Sequence, residues 1–308
     1  MILSRMRASC FGTLLVPLVL ALNLVSPVQL KAQIFVMGTG LYNQGTIGEF
    51  TASGATINSS LITGLNTPYG MLLDGNGHIL VSLWGGNCIA EYSTSGAVIN
   101  RNFITGLSDP VGMALDGNGH LFVANEAAGT VGEYTTSGQA INATLITGLV
   151  HPAALAVDGS GYLYVTSVNG TVGKYTTSGA TLQARMIQGW NYCYGLALDG
   201  QGNLFLGTTD GRVGEFTTWG SWVNSSLIPG LSDASGLALD GDGNLFVTDQ
   251  LLLGEYTTSG AMVNQALLTE PLGLDELIAV AIVPEHSSVA LMSVGSGLLI
   301  YRRWRRTQ

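Results

Sequence analysis

Between residues 33 and 283 the chain is a succession of short apolar or alternating runs, separated by glycine-rich links. One run is almost continuously apolar and closes on an aspartate. It reads GMLLDGNGHILV from Gly70, GMALDGNGHLFV from Gly112, ALAVDGSGYLYV from Ala154, GLALDGQGNLFL from Gly195 and GLALDGDGNLFV from Gly236. Its aspartates, Asp74, Asp116, Asp158, Asp199 and Asp240, are spaced by 42, 42, 41 and 41 residues. A second phrase alternates: GEFTASG from Gly48, AEYSTSG from Ala90, GEYTTSG from Gly132, GKYTTSG from Gly173, GEFTTWG from Gly214 and GEYTTSG from Gly254. A third, of the LITGL type, starts at Leu61, Phe103 and Leu145, with weaker versions at Met186, Leu227 and Leu267.

Each repeat therefore holds four short runs, here a (GLALD), b (NLFV), c (VGEYTTSG) and d (INASLITGL). Run a has the pattern of a strand buried on both faces. The a–b link is Asp-Gly-x-Gly and the c–d link is Ser-Gly. Both are tight-turn chemistry, because glycine reaches positive φ without steric cost. Four antiparallel strands in about 42 residues make one propeller blade. A helical solenoid of this period would need helical spacing of its apolar residues and fewer glycines and β-branched runs.

Runs b, c and d occur six times if Ile34–Val36 is counted as a run b, and run a occurs five times clearly. The sixth run a is LIAVAIV, from Leu277 to Val283. The chain thus starts at a strand b and finishes at a strand a, and the two incomplete ends complement each other. The expected fold is all-β: a six-bladed β-propeller closed by its N- and C-terminal strands, which removes open sheet edges at the seam. A buried Leu, Val or Phe is worth about 1.5–3 kcal/mol before entropy is counted. No blade buries both of its faces alone.

The wording of the repeat resembles that of NHL-type propellers, which pair a G-x-A-V-D run with a G-N-x-Y-V run. Gly195-Leu-Ala-Leu-Asp and Gly202-Asn-Leu-Phe-Leu carry the likeness, which extends over roughly residues 33 to 283. It implies the fold and leaves the function open, since such propellers include enzymes, binding modules and scaffolds.

The two ends read differently. Arg5 and Arg7 precede an apolar stretch at residues 11 to 22, and small and polar residues follow to about Ala32. Residues 1–32 are the build of a secretory signal peptide. The expected propeller takes residues 33–283, and residues 284–308 form a tail. That tail holds Pro284 and Glu285, an apolar stretch at 287–301, and Arg302, Arg303, Arg305 and Arg306. As a helix the apolar stretch spans roughly 22 Å, a short transmembrane segment beside a hydrocarbon core of about 30 Å. The arginines would stay on the cytoplasmic side. The order of parts resembles the PEP-CTERM sorting tail, although His286 stands where that motif has its second proline. The resemblance implies recognition by an exosortase and the export machinery, and a place at the cell surface or in an extracellular matrix.

Charge narrows the partners. All 20 Asp and Glu lie between Glu49 and Glu285, and that stretch holds 4 cations (Arg101, Lys174, Arg185 and Arg212), a net −16. Nucleic acid is excluded as a partner, because phosphates need clustered cations. Cys88 and Cys193 fall at non-equivalent points of distant repeats and are expected to be apart and unpaired. The few cysteines and histidines give no zinc-type ligand set, and no cofactor is expected.

Variation within so repetitive a chain is where a binding site is written. The b–c and d–a loops share one face of the expected ring, and they differ from blade to blade. They carry Tyr42, Trp84, Glu126, His151, Trp190, Tyr192, Tyr194, Asp210 and Asp249. Aromatic rings with scattered carboxylates suit a glycan or a protein partner, so the leading expectation is a non-enzymatic binding scaffold. A second is a metal-dependent hydrolase or lactonase. Likeness to gluconolactonase-like propellers would then require Asn125, Glu126, Asp210 and Asp249 to converge on a divalent cation at the channel mouth. A third is a passive structural component of a matrix. Asp240-Gly-Asp242-Gly-Asn244 reads as a turn and not as a calcium loop, and no nucleophile elbow, phosphate loop or His-Glu metalloprotease motif is present.

Overall fold

The computed structural model describes residues 32–40 and 44–283. Residues 1–31 of the expected signal peptide, Tyr42 and the tail, with Pro284, Glu285, Arg302, Arg303, Arg305 and Arg306, lie outside the described residues. Within them the chain forms six four-stranded antiparallel sheets. Blade 1 takes strand a from Glu276–Val283 and strands b, c and d from Gln33–Thr39, Gln44–Thr51 and Thr56–Asn66. Blades 2 to 6 each run a to d in chain order, with strands a at Pro68–Leu73, Pro110–Leu115, Pro152–Val157, Cys193–Leu198 and Leu237–Leu239.

The seam lies where the repeat count puts it. Gln33 pairs with Val283, Phe35 with Ala281 and Thr39 with Glu276. The N-terminal strand b is held by the C-terminal strand a on one side and by Gln44–Thr51 on the other.

The core is distributed over the joints between blades. Six buried clusters each draw on two adjacent blades. Phe35, Met37 and Ile47 of blade 1 pack on Ile79, Val81 and Tyr92 of blade 2. Phe246 and Leu253 of blade 6 pack on Ile34, Val36 and Phe50 of blade 1, which closes the ring. The alternation of each strand thus serves two joints, one from each face.

Strands a converge on the axis, where space decides the residue. A Cβ on Gly70 would lie 2.2 Å from the carbonyl oxygen of Val111, and one on Gly112 would lie 2.2 Å from that of Ala153. The glycine of GLALD is therefore a close-approach residue. A buried hydroxyl on strand b completes the joint. Ser82 Oγ accepts the N–H of Gly70 at 2.7 Å and donates to the carbonyl of Val111 in the next blade at 2.6 Å. Thr166 and Thr248 accept the N–H groups of Ala154 and Gly236 at 2.8 Å each.

The opposite face carries the a–b turns, and their aspartates are spent on the backbone. Asp74 Oδ1 accepts the N–H groups of Asn76 and His78, and Asp240 Oδ1 those of Asp242 and Asn244. This is the Asx geometry that holds tight turns, so Asp240 does the same turn-holding work as its counterparts.

Blade 4 breaks the pattern. Lys174 replaces the recurrent strand-c glutamate and is 1% exposed. Its ammonium donates to the carbonyl of Thr218 at 3.0 Å. It lies 4.2 Å from the ring centroid of Tyr162 and 3.8 Å from that of Trp219, which replaces the serine of the turn in blade 5. Burial pushes this ammonium below the ordinary lysine value, and Asp158 opposes the shift. The two departures from the repeat are one cation–π clamp across a joint.

Two stability predictions follow from the joints. Gly112→Ala is expected to cost about 1–3 kcal/mol through overpacking, whereas Gly117→Ala, with nothing within 4 Å of its Cβ, should be near neutral in the same urea titration. Trp219→Ser, which restores the residue of the other turns, should cost about 1–2 kcal/mol by removing a face from the caged ammonium.

Candidate functional site

On the loop face, the residue before strand a takes a left-handed backbone in four blades: Thr67, Asp109, His151 and Tyr192, with φ between 44° and 52°. In each, its carbonyl accepts the N–H of the first residue of the b–c loop, respectively Trp84, Glu126, Val168 and Thr209. Trp84 and Glu126 are thus equivalent positions of neighbouring blades. The loops are fixed to one another through backbone, which leaves their side chains free to differ.

The sequence candidates separate into three groups. Trp84, Glu126, His151 and Tyr192 stand at the face. Trp84 is 37% exposed and reaches over Tyr69, with ring centroids 6.3 Å apart. His151 Nδ1 lies 3.5 Å from Glu126 Oε1, and Tyr192 is 56% exposed. Asp210 and Asp249 are engaged in holding loops. Asp210 takes Arg212 Nη2 at 2.8 Å and the hydroxyl of Thr208, and the guanidinium holds its carboxyl below the usual range. Asp249 Oδ1 accepts the N–H groups of Ser232 and Asp233 at 2.6 and 3.1 Å. Asn125, at the same repeat position, does likewise for Ser108 at 3.2 Å.

Trp190 is the third case. It is 2% exposed, inside the joint of blades 4 and 5, edge-on to Phe216 at 5.3 Å and under the guanidinium of Arg212 at 4.9 Å. The reason is in the repeat: MIQGW aligns with LITGL, so Trp190 occupies the core position of Leu65 and Leu107. Asn125, Glu126, Asp210 and Asp249 do not converge, and among the described residues no three His, Cys, Asp or Glu side chains are grouped to hold a metal ion.

What the structure does gather is a cavity of about 350 Å³ on the axis, walled by strands a. Its floor and sides are apolar, with Met71, Met113, Leu155, Leu196 and Leu237. Tyr69 and Tyr194, equivalent residues of blades 2 and 5, face it across the ring. Its charged lining consists of two carboxyls, Asp233 and Glu276, with no lysine or arginine. Asp233 enters from the d–a loop of blade 6, and Glu276 begins the closing strand of blade 1.

The electrostatics follow from that lining. Burial, then the neighbouring Glu276, raises Asp233 to about 6, and the two carboxyls are hydrogen-bonded to each other, an arrangement that needs a shared proton. Asp233 Oδ1 is shielded from solvent and has no hydrogen-bond partner among the described residues. Burial, and then Glu126, pushes Tyr194 up to about 12. Tyr69 is raised by burial, then by Glu126 and Glu276. The mouth is a negative, aromatic-walled opening. Tyr69, Asp233 and Glu276 belong to it although they are unremarkable in the sequence. Their one signal is position, at or just before the start of a run a.

No family model matches the sequence, and no curated protein matches it. Solved structures share the fold. A chain of a nidogen–laminin complex superposes with a TM-score of 0.68 at 16% identity, over 82% of this chain and 99% of that one. A gluconolactonase from Xanthomonas campestris gives 0.55 at 17% identity, over 65% and 75%. A virginiamycin B lyase from Staphylococcus aureus gives 0.53 at 19%, over 65% and 69%. These likenesses establish the propeller and no more.

A carboxyl raised on folding is favoured in its protonated form, so its burial is a stability cost that is complete above the folded value, about 6, and absent below the ordinary 3.8. Asp233→Asn should therefore raise the melting temperature by a few degrees above about pH 6, with the gap closing towards about pH 4. Thermal melts across that range check it.

Proposed function

We propose that this protein is an exported propeller that binds a glycan at the loop-face mouth of its axial channel. The observation that carries the reading is a local break in symmetry. In a chain whose turns and joints repeat almost word for word, the mouth combines Tyr69 and Tyr194 with Asp233 and Glu276 around an open cavity, and Trp84 extends the aromatic surface beyond Tyr69. Sugar rings stack on such aromatic faces, and their hydroxyls donate to carboxylates. Thr67, Thr209 and Ser235 add hydroxyl partners on the same rim.

Export rests on the signal-like N-terminus and the PEP-CTERM-like tail, and both adjoin the propeller at one place. Gln33 and Val283 are paired at the turn-face end of blade 1. The described chain thus begins and ends on the turn face, opposite the mouth. That arrangement suits a surface or matrix protein that meets polysaccharide.

The test is a glycan array probed with the full chain. Binding to a defined set of sugars is expected, weakened at least about tenfold by Trp84→Ala and by Tyr194→Ala, the loss of an anchoring aromatic. Ile141→Ser, on the outer rim, should leave it unchanged. Binding that survives both aromatic changes removes the mouth as the site. Turnover of a lactone with a tightly held divalent metal would replace this reading by a hydrolytic one.

A further inference from the structure

The lining of the mouth says which chemical group it lacks. Asp233 and Glu276 face one cavity, and no lysine or arginine lines it. Three other carboxylates close to the loop face have partners among the described residues. Asp210 has Arg212, Asp249 has two backbone N–H groups, and Glu126 has His151. Asp233 keeps one oxygen both shielded and unpartnered. A shielded carboxylate oxygen without a donor is costly, and here that oxygen belongs to a half-buried side chain in the wall of a cavity of about 350 Å³. Blade 4 shows how this fold satisfies an ammonium: aromatic rings at 3.8 and 4.2 Å and one carbonyl acceptor. The mouth offers the complementary set, two tyrosine rings and two carboxyls, with the ammonium missing.

We infer that the mouth takes an amino sugar, its protonated amine lying between Asp233 and Glu276 and its ring against Tyr69 and Tyr194. The inference rests on the glycan-binding reading and specifies its ligand. An amine is favoured over a divalent cation because two carboxyls are too few ligands for calcium, which takes about six to eight oxygens. A sugar is favoured over a lysine side chain because Thr39, Thr67, Thr209 and Ser235 ring the same opening with hydroxyls.

Protonation adds a signature. The groups that face the amine are Glu276 from the closing strand, Asp233 from the last d–a loop with Asp249 behind it, and Tyr69, Tyr194 and Glu126 across the axis. Asp233 is the one that changes charge near about 6. Affinity for a cation should therefore fall as pH drops through that value, and it should fall with salt.

The experiment is calorimetric titration of the full chain with a glucosamine tetramer, its fully N-acetylated counterpart and trilysine. It is run at about pH 7.5 and about pH 5, on either side of the Asp233 value of about 6. The glucosamine tetramer should bind at least about tenfold more tightly than the acetylated one, and weaken several-fold at the lower pH. Asp233→Asn and Glu276→Gln should each erase that preference. Asp233→Asn should also remove the pH dependence, while thermal melts report that both variants fold. Equal binding of the acetylated tetramer, or an unchanged preference in Asp233→Asn, overturns the amine while leaving a neutral-glycan site standing. Trilysine that matches the tetramer overturns the sugar. An array with no binding at all overturns the glycan reading, and this inference with it.

Discussion

Everything in this molecule depends on the burial that two neighbouring blades give each other. A single four-stranded sheet with apolar side chains on both faces cannot stay single in water. Each of the six clusters joins a blade to the next, and the last joins blade 6 to blade 1. Closure satisfies the final joint without a capping element of a different kind. The pairing of Gln33–Thr39 with Glu276–Val283 supplies it.

The same constraint makes the site. Packing six sheets radially forces their first strands together at the axis, so positions that face the neighbouring backbone leave no room for a side chain. Glycine at 70, 112, 195 and 236 allows the approach. The space that remains is a cavity whose walls change little from blade to blade and whose rim is set by one or two residues at each strand entry. A few substitutions at those entries redefine the opening without disturbing a joint. Tyr69, Tyr194, Asp233 and Glu276 are such substitutions.

The fold was legible because its determinants recur. Phase, blade number and the exchange of strands between the termini can all be counted from Asp74, Asp116 and their successors. The site was legible only in part. Trp84 and Glu126 stand out as loop residues and do stand at the face. Trp190 looked like them until the LITGL register placed it in the core. Asp210 and Asp249 look free in sequence because Arg212 and the N–H groups of Ser232 and Asp233 are partners that only geometry reveals. Lys174 and Trp219, 45 residues apart in the chain, read as unrelated departures and are one contact. Asp233 and Glu276 were hidden for the same reason: they lie in different blades, and what pairs them is the curvature of the ring.

Glu276 belongs to the strand made last. Until Glu276–Val283 reaches blade 1, the ring is a horseshoe, and the mouth has only one of its two carboxyls. A chain cut short by ten residues before Val283 would keep five blades' worth of joints and still lack a finished opening. The opening is thereby tied to closure of the whole repeat array, so that only a closed ring brings both carboxyls to one cavity.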